Sequence, residues 1–144
     1  MKTTILILVL LGSAFSASAR LGENRQQLVA RYGQPLEYGG SAFFSRGFLV
    51  VISGWHYGNA GSIAYSKQRT HQADPEPISD NAIRILLDAN ATGWTQTAPN
   101  TWECQAATAT YDPSDLMLHI HSRAYLAWRK EQRTQHENSS MQGL

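Results

Sequence analysis

His119 and His121 are the two side chains whose type and spacing come nearest to a chemical site in this sequence. They lie two positions apart in an alternating stretch, and residues i and i+2 of a strand point to the same face. Two imidazoles on one face can ligate a zinc or copper ion, which needs a third and usually a fourth ligand. The pattern leaves two interpretations, a surface histidine pair or a metal site. Further ligands available in the sequence are His56, His71, Glu103, Asp112 and Asp115.

Nucleophilic catalysis has little support in the sequence. The Gly-x-Ser-x-Gly elbow of serine hydrolases is absent, and the Gly61-Ser62 step lies where a turn is expected. Cys104 lies in an apolar stretch beside Trp102, with no neighbour that would activate a thiol. We therefore predict a buried Cys104, with pairing between chains as the alternative, and we do not predict an enzyme.

Aromatic residues are the other candidate functional groups. Trp55 and Tyr57 flank His56, and in a strand they would share a face. Trp94 and Trp102 bracket a second region that is predicted to contain a turn. Large aromatic side chains at the ends of a sheet commonly anchor partners, although they commonly fill small cores as well. The candidate binding residues are therefore Trp55, Tyr57 and Trp94.

The composition restricts the classes of function. The chain of 144 residues carries 12 Lys+Arg and 11 Asp+Glu, so it has no strong field that would attract nucleic acid. Hydrophobic residues make up 42% and charged residues 16%, which is enough for a packed core. The single Cys excludes a disulfide within one chain. These values predict a globular domain that does not bind nucleic acid.

The N-terminus has the order of a secretory signal peptide. Lys2 precedes an apolar run over residues 5–11, and Ala17-Ser18-Ala19 matches a small-residue cleavage site. The run is shorter than the about 20 apolar residues that span a bilayer. We expect cleavage after Ala19, a secreted or periplasmic protein, and no stable membrane insertion after cleavage. A partner would then be another exported protein.

Three helices are predicted from apolar spacing and end signals. The first covers residues 23–32 and ends at Gly33, ahead of Pro35. The second is capped by Ser79 and ends near Asn90. The third is basic and covers residues 123–135, before a flexible tail over residues 138–144.

The stretches between the helices have the composition of strands joined by turns. In the last of them Leu116, Leu118 and Ile120 are predicted to share one face. Turns are predicted at residues 58–61 and 112–115, and a loop at residues 67–77. The predicted strands cover residues 42–45, 48–52, 62–66, 101–104, 107–111 and 116–121.

The order of these elements predicts a single α+β domain over residues 20–137. Antiparallel strands form one or two sheets, and short helices cover the apolar face. A helix followed by strands occurs twice along the chain, so one arrangement of this fold consists of two helix-plus-strand halves. No close residue identity between the halves accompanies this repeated pattern.

The first half resembles a family of small exported modules. The residues concerned are Leu21-Gly22, Leu28-Val29 and the helix ending Tyr32-Gly33-Gln34-Pro35. The chain is similar there to the outer-membrane assembly lipoproteins of the SmpA/OmlA type, and to β-lactamase-inhibitor proteins, which use two such modules in tandem. The resemblance implies a helix before a three-stranded antiparallel sheet and a non-catalytic, partner-binding role. Unlike the lipoproteins, this chain has no Cys after its signal that could carry a lipid.

The sequence therefore predicts a secreted or periplasmic, non-enzymatic protein-interaction module without a cofactor. The alternative is a metal-binding protein that holds zinc or copper through His119 and His121.

Overall fold

The computed structural model describes residues 20–67 and 76–142. The predicted signal peptide, residues 1–19, lies outside the described residues, as do residues 68–75 of the predicted loop, including His71. Three helices and eight strands occur in the described ranges. In chain order they are α1 (Arg25–Tyr32), β1 (Leu36–Tyr38), β2 (Ser41–Arg46), β3 (Phe48–His56), β4 (Asn59–Lys67), α2 (Asp80–Asn90), β5 (Thr95–Ala98), β6 (Thr101–Glu103), β7 (Ala107–Asp112), β8 (Met117–Ser122) and α3 (Arg123–Met141).

Helix α1 is defined by local signals at both ends. Asn24 Oδ1 accepts a hydrogen bond from the Gln27 N–H at 3.0 Å, and Gln27 Oε1 accepts one from the Asn24 N–H at 2.9 Å. The helix ends at Gly33, which has a φ of 86° that side chains disfavour, and its N–H donates to the Val29 carbonyl. The predicted end at Gly33 is confirmed, whereas the helix begins at Arg25 rather than at residue 23.

Helix α2 follows its amphipathic pattern. Ser79 Oγ accepts a hydrogen bond from the Ala82 N–H, which is the capping role predicted for it. Ile83, Leu86 and Leu87 are buried on one face of the helix. The prediction of this helix from its spacing is therefore confirmed.

The eight strands form one antiparallel sheet in the order β1-β2-β3-β4-β8-β7-β6-β5. Each half of the chain is a helix followed by a four-stranded meander, and the final strands of the two halves, β4 and β8, pair at the centre. The predicted α+β fold is confirmed, with the arrangement in two halves. Each half contributes four strands, one more than the three that the sequence resemblance implied.

Helices α1 and α2 lie on the same face of the sheet and share one core. The Tyr32 and Phe44 rings pack 5.6 Å apart, and Asn90 on α2 donates to the hydroxyl of the buried Tyr65 on β4. Full burial of one large apolar side chain contributes about 1.5–3 kcal/mol, so this cluster holds the two halves together. Its most buried large side chains are Tyr65, Phe44, Leu28, Ile52, Ile63, Leu118, Ile120 and Val50.

The opposite face of the sheet carries α3. Ser62 and His121 alternate with the core residues along β4 and β8, so their side chains point to this second face. Tyr125 is the buried residue of α3, and every residue from Arg129 to the last described one is exposed. None of the helices in residues 20–67 and 76–142 is long and apolar enough to cross a bilayer.

Two strands were not predicted, and further predicted element boundaries are wrong. The edge strands β1 and β5 were not predicted, because they are short and their residues are all exposed, which leaves no alternation of apolar residues. Leu116 has a φ of 59° and lies in the turn before β8, so it does not share a strand face with Leu118 and Ile120. Helix α3 continues past its predicted end at residue 135 to Met141, so it includes residues 138–141 of the predicted tail.

Cys104 is a buried free thiol with 7% of its surface exposed. Its N–H donates to the Ala107 carbonyl at 2.9 Å, which holds the chain between β6 and β7. The prediction that Cys104 is buried is confirmed.

Candidate functional site

Tyr57 occupies the tip of the hairpin between β3 and β4. His56 and Asn59 form the last pair of this ladder, so Tyr57 and Gly58 are the two residues of the turn. Their φ angles are 49° and 80°, and positive values at both positions are the mark of a type I′ turn. The first position of that turn favours Asn, Asp or Gly, and a bulky residue there costs about 1–2 kcal/mol. The Tyr57 side chain is 83% exposed, so burial of the ring does not offset this cost.

Tyr57 ends a row of aromatic rings on the α3 side of the sheet. Its ring centroid is 4.5 Å from that of His56, which in turn is 5.7 Å from that of Trp128 on α3. The Trp128 ring continues the row to Tyr125 at 6.1 Å. We call His56, Tyr57 and Trp128 the hairpin patch. Trp128 is a residue of this patch that sequence reasoning missed, because it lies 71 positions beyond Tyr57 and only the docking of α3 brings it there.

The hairpin patch depends on a slot for Tyr125 in the sheet. Gly54 and Gly61 leave room for its ring, which would overlap a β-carbon at either position. The β3–β4 register shifts on both sides of Gly54, and such bulges bend a strand and redirect its residues. Glycines inside a strand often mark a place where another part of the chain approaches the backbone closely. Gly54 and Gly61 were therefore a sequence signal that could have indicated the contact with Tyr125.

The structure separates Trp55 from Tyr57. Trp55 lies on β3 and packs against the core on the side covered by α1 and α2. It also lines a depression with Arg25 on α1 and Tyr38 on β1. Tyr57 lies in the turn rather than on the strand, so the two side chains do not share a strand face as predicted.

Trp94 belongs to a different part of the molecule. Its indole Nε1–H donates to the carbonyl oxygens of Leu87 at 2.8 Å and Ala91 at 3.0 Å, where α2 ends. Together with Trp102 it lines a groove between α2 and the β5–β6 hairpin. The structure thus brings together the two Trp residues that the sequence placed on either side of a turn region, and it places neither in the hairpin patch.

His119 and His121 share the second face of β8, as the alternation predicted. Each of them has its own partner: His119 Nε2 lies 2.9 Å from Asp115 Oδ2, and His121 Nδ1 lies 2.8 Å from Ser62 Oγ. Within residues 20–67 and 76–142, no group of three His, Cys, Asp or Glu side chains is arranged to hold a metal ion. The zinc or copper hypothesis therefore lacks a third ligand in the described part of the chain.

His121 takes part in a short chain of hydrogen bonds across the sheet. Ser53 Oγ lies 2.9 Å from Ser62 Oγ, which contacts the imidazole. Burial lowers the pKa of His121, and the positive charges of His119 and Arg129 lower it further. The imidazole is thus held neutral near pH 7.

This chain of hydrogen bonds lacks the parts of a serine hydrolase. Ser62 is 3% exposed, which leaves a substrate no access to its hydroxyl. In the described residues, His121 has no carboxylate partner that would orient it as a base. The contacts of Ser53, Ser62 and His121 link β3, β4 and β8 on the face of the sheet that carries α3.

The comparisons with protein-family models, with curated proteins and with solved structures found no match to this chain. The role of the candidate site is therefore inferred from its geometry alone. The hairpin patch is the place where exposed aromatic area and an unfavourable backbone conformation coincide.

Proposed function

We propose that this protein is an exported, non-enzymatic interaction module that binds a partner protein through the hairpin patch. The observation that carries the proposal is the state of Tyr57, which is 83% exposed at a φ of 49°. Neither the exposure of an aromatic ring nor this backbone conformation stabilises the free protein. Backbone strain of this kind clusters at functional sites, where another gain offsets it.

The chemistry of the hairpin patch suits a protein partner. Tyr and Trp are enriched at the centres of interfaces because they bury a large rigid area and keep a polar atom for hydrogen bonding. His56 packs between the rings of Tyr57 and Trp128, and both His56 and Trp128 are partly buried, so the base of the patch is held in place before any partner arrives. Rigidity of this kind lowers the entropy cost of association.

The position of the hairpin patch favours the same role. It lies at one end of the sheet beside α3, where it can meet a partner without disturbing the core under α1 and α2. The resemblance to tandem helix-plus-sheet modules also implies partner binding without catalysis. The exported location predicted from residues 1–19 implies that the partner is another exported protein.

The test compares three forms of the mature protein as bait in the exported fraction. They are the unaltered chain, Tyr57→Asn, and the matched control Ile85→Asn, which removes an exposed apolar side chain from α2. We expect one protein to be captured in stoichiometric amount by the first and the third. Tyr57→Asn should weaken its binding at least about tenfold, as loss of an interface hot spot does.

The same experiment can contradict the proposal. Equal capture by the unaltered chain and Tyr57→Asn would show that the hairpin patch is not the contact. Circular dichroism of each variant accompanies the capture, because a loss of binding counts only for a folded chain.

A further inference from the structure

A second open site lies in the other half of the molecule, between α2 and the β5–β6 hairpin. It is a groove of about 740 Å³, within the about 300–1,000 Å³ of small-molecule sites. Ile83 and Leu87 of α2 contribute apolar surface, and the rings of Trp94 and Trp102 contribute aromatic surface. The lining also includes five polar side chains, those of Asp80, Arg84, Asp88, Gln96 and Asn100.

The two halves of the fold differ at this place. In the first half, the corresponding space between α1 and the β1–β2 hairpin is about 340 Å³, and the Arg25–Glu37 ion pair joins the helix to the strand. In the second half, Arg84 has no carboxylate oxygen within 4.0 Å in the part of the chain that the structure describes. Arg84 therefore does not join α2 to the β5–β6 hairpin through an ion pair in the way that Arg25 joins α1 to β1.

The two indole rings that line the groove are held in place in the free protein. The single Nε1–H of Trp94 is shared between the carbonyls of Leu87 and Ala91, which holds its ring at the end of α2. Trp102 is paired with Gln96 in the β5–β6 ladder, so that the indole and the amide side chain share one face. A ligand would find the rings and the amide already arranged, which lowers the cost of binding.

From this lining we propose that the groove binds a neutral saccharide. A sugar ring presents a face of C–H groups and a rim of hydroxyls that each donate and accept. Indole rings suit the C–H face because they are flat and apolar. The rim meets acceptors on Asp80 and Asp88, donors on Arg84, and both on the amides of Gln96 and Asn100.

Other ligand classes fit this lining less well. Two carboxylates against one guanidinium give the groove a net negative charge, which disfavours phosphates and other anions. The polar rim disfavours a purely apolar ligand, since its groups would lose water without gaining partners. A cationic peptide would meet Arg84, which lies four positions from each Asp on α2. A neutral polyhydroxylated ligand avoids all three costs.

The test uses the mature protein and three neutral probes, cellotriose, N,N′,N″-triacetylchitotriose and maltotriose, alongside an array of immobilised oligosaccharides. Binding is followed by the indole N–H resonances of the four Trp residues up to about 10 mM probe, which detects dissociation constants near 1 mM. We expect saturable shifts of the Trp94 and Trp102 resonances with at least one probe. Asp88→Ala and Gln96→Ala, both at exposed positions, should weaken binding about tenfold.

The Tyr57→Asn variant is the control that separates this site from the hairpin patch. It should bind the saccharide as the unaltered chain does, whether or not the proposed function is correct. No binding on the array and no shift with the three probes would overturn the proposal. Shifts that occur only with an arginine-rich peptide, and disappear in salt, would replace it with a cationic-peptide site. Full affinity in both Asp88→Ala and Gln96→Ala would also contradict it.

Discussion

The Cβ of Tyr125 lies 2.7 Å from the place that a β-carbon on Gly61 would occupy. This is closer than two carbon atoms approach without repulsion, so helix α3 can dock on β4 only because position 61 carries no side chain. Gly54 makes the same allowance for the outer end of the Tyr125 ring. The seating of α3, and with it Trp128 and the hairpin patch, depends on these two glycines.

Replacing Gly61 with Ala is expected to destabilise the protein by about 1–3 kcal/mol through overpacking against Tyr125. Thermal or urea unfolding of the mature protein measures the change. The Tyr125→Ala background is the control, because removal of the ring removes the clash. The cost of Gly61→Ala should be clearly smaller there, and equal costs in both backgrounds would contradict the close contact.

Tyr57→Asn is expected to leave the free energy of unfolding unchanged or to raise it by up to about 1 kcal/mol. Asn followed by Gly58 is the favoured pair for a type I′ turn, whereas Tyr is not. Urea unfolding measures the difference. Tyr57→Ala serves as the comparison, since it removes the ring without supplying a residue that favours the turn. A loss of more than about 1 kcal/mol in Tyr57→Asn would mean that the ring supports the fold.

Trp55→Ala is expected to destabilise the protein far more than Tyr57→Ala does. Trp55 packs against the core, and a fully buried Trp costs about 3–5 kcal/mol when truncated, so this partly buried one should approach that range. Tyr57 is exposed, and its truncation should fall within about 0.5 kcal/mol. Similar losses for the two variants in chemical denaturation would contradict the separation of the two side chains.

Lowering the pH is expected to reduce the free energy of unfolding, because His121 becomes protonated. Its pKa is lowered from 6.5 in the folded protein, mainly by burial, so the folded state binds fewer protons than the unfolded one. The stability from this group is fully present above pH 6.5 and is lost as the pH falls through the interval between the two pKa values. Unfolding midpoints between about pH 7 and 5 measure this slope. His121→Gln should flatten this slope, and an unchanged slope in that variant would contradict the prediction.

Cys104 is expected to resist thiol reagents in the folded protein. Its side chain is buried beside the turn between β6 and β7, so a reagent reaches it only through local opening. We expect a chromogenic disulfide to label Cys104 about 100-fold more slowly in the folded protein than in denaturant. An opening free energy of a few kcal/mol produces a difference of this size. Fast labelling, or a disulfide-linked dimer on a non-reducing gel, would instead favour pairing between chains.

Local sequence determined the helices because their signals lie within a few residues of each other. Asn24, Gln27 and Gly33 define α1, and Ser79 with the buried stripe of α2 defines the second helix. The strands with apolar residues were predicted for the same reason. Strands β1 and β5 escaped prediction because an exposed edge strand needs no apolar face and is formed only by pairing with its neighbour.

The sites depended on contacts between residues far apart in the chain. His121 is paired with Ser62 across 59 positions, and Trp128 reaches His56 only once α3 has docked on the two glycines. The sequence named Tyr57 and Trp94 as candidates from residue type alone. It could not tell that Trp55 packs against the core or that Trp94 and Trp102 line one groove, because strand pairing and helix packing decide which side chains meet. The sequence by itself therefore determined the elements and their class of fold, whereas the tertiary structure alone decided which aromatic rings stay exposed and which neighbours they have.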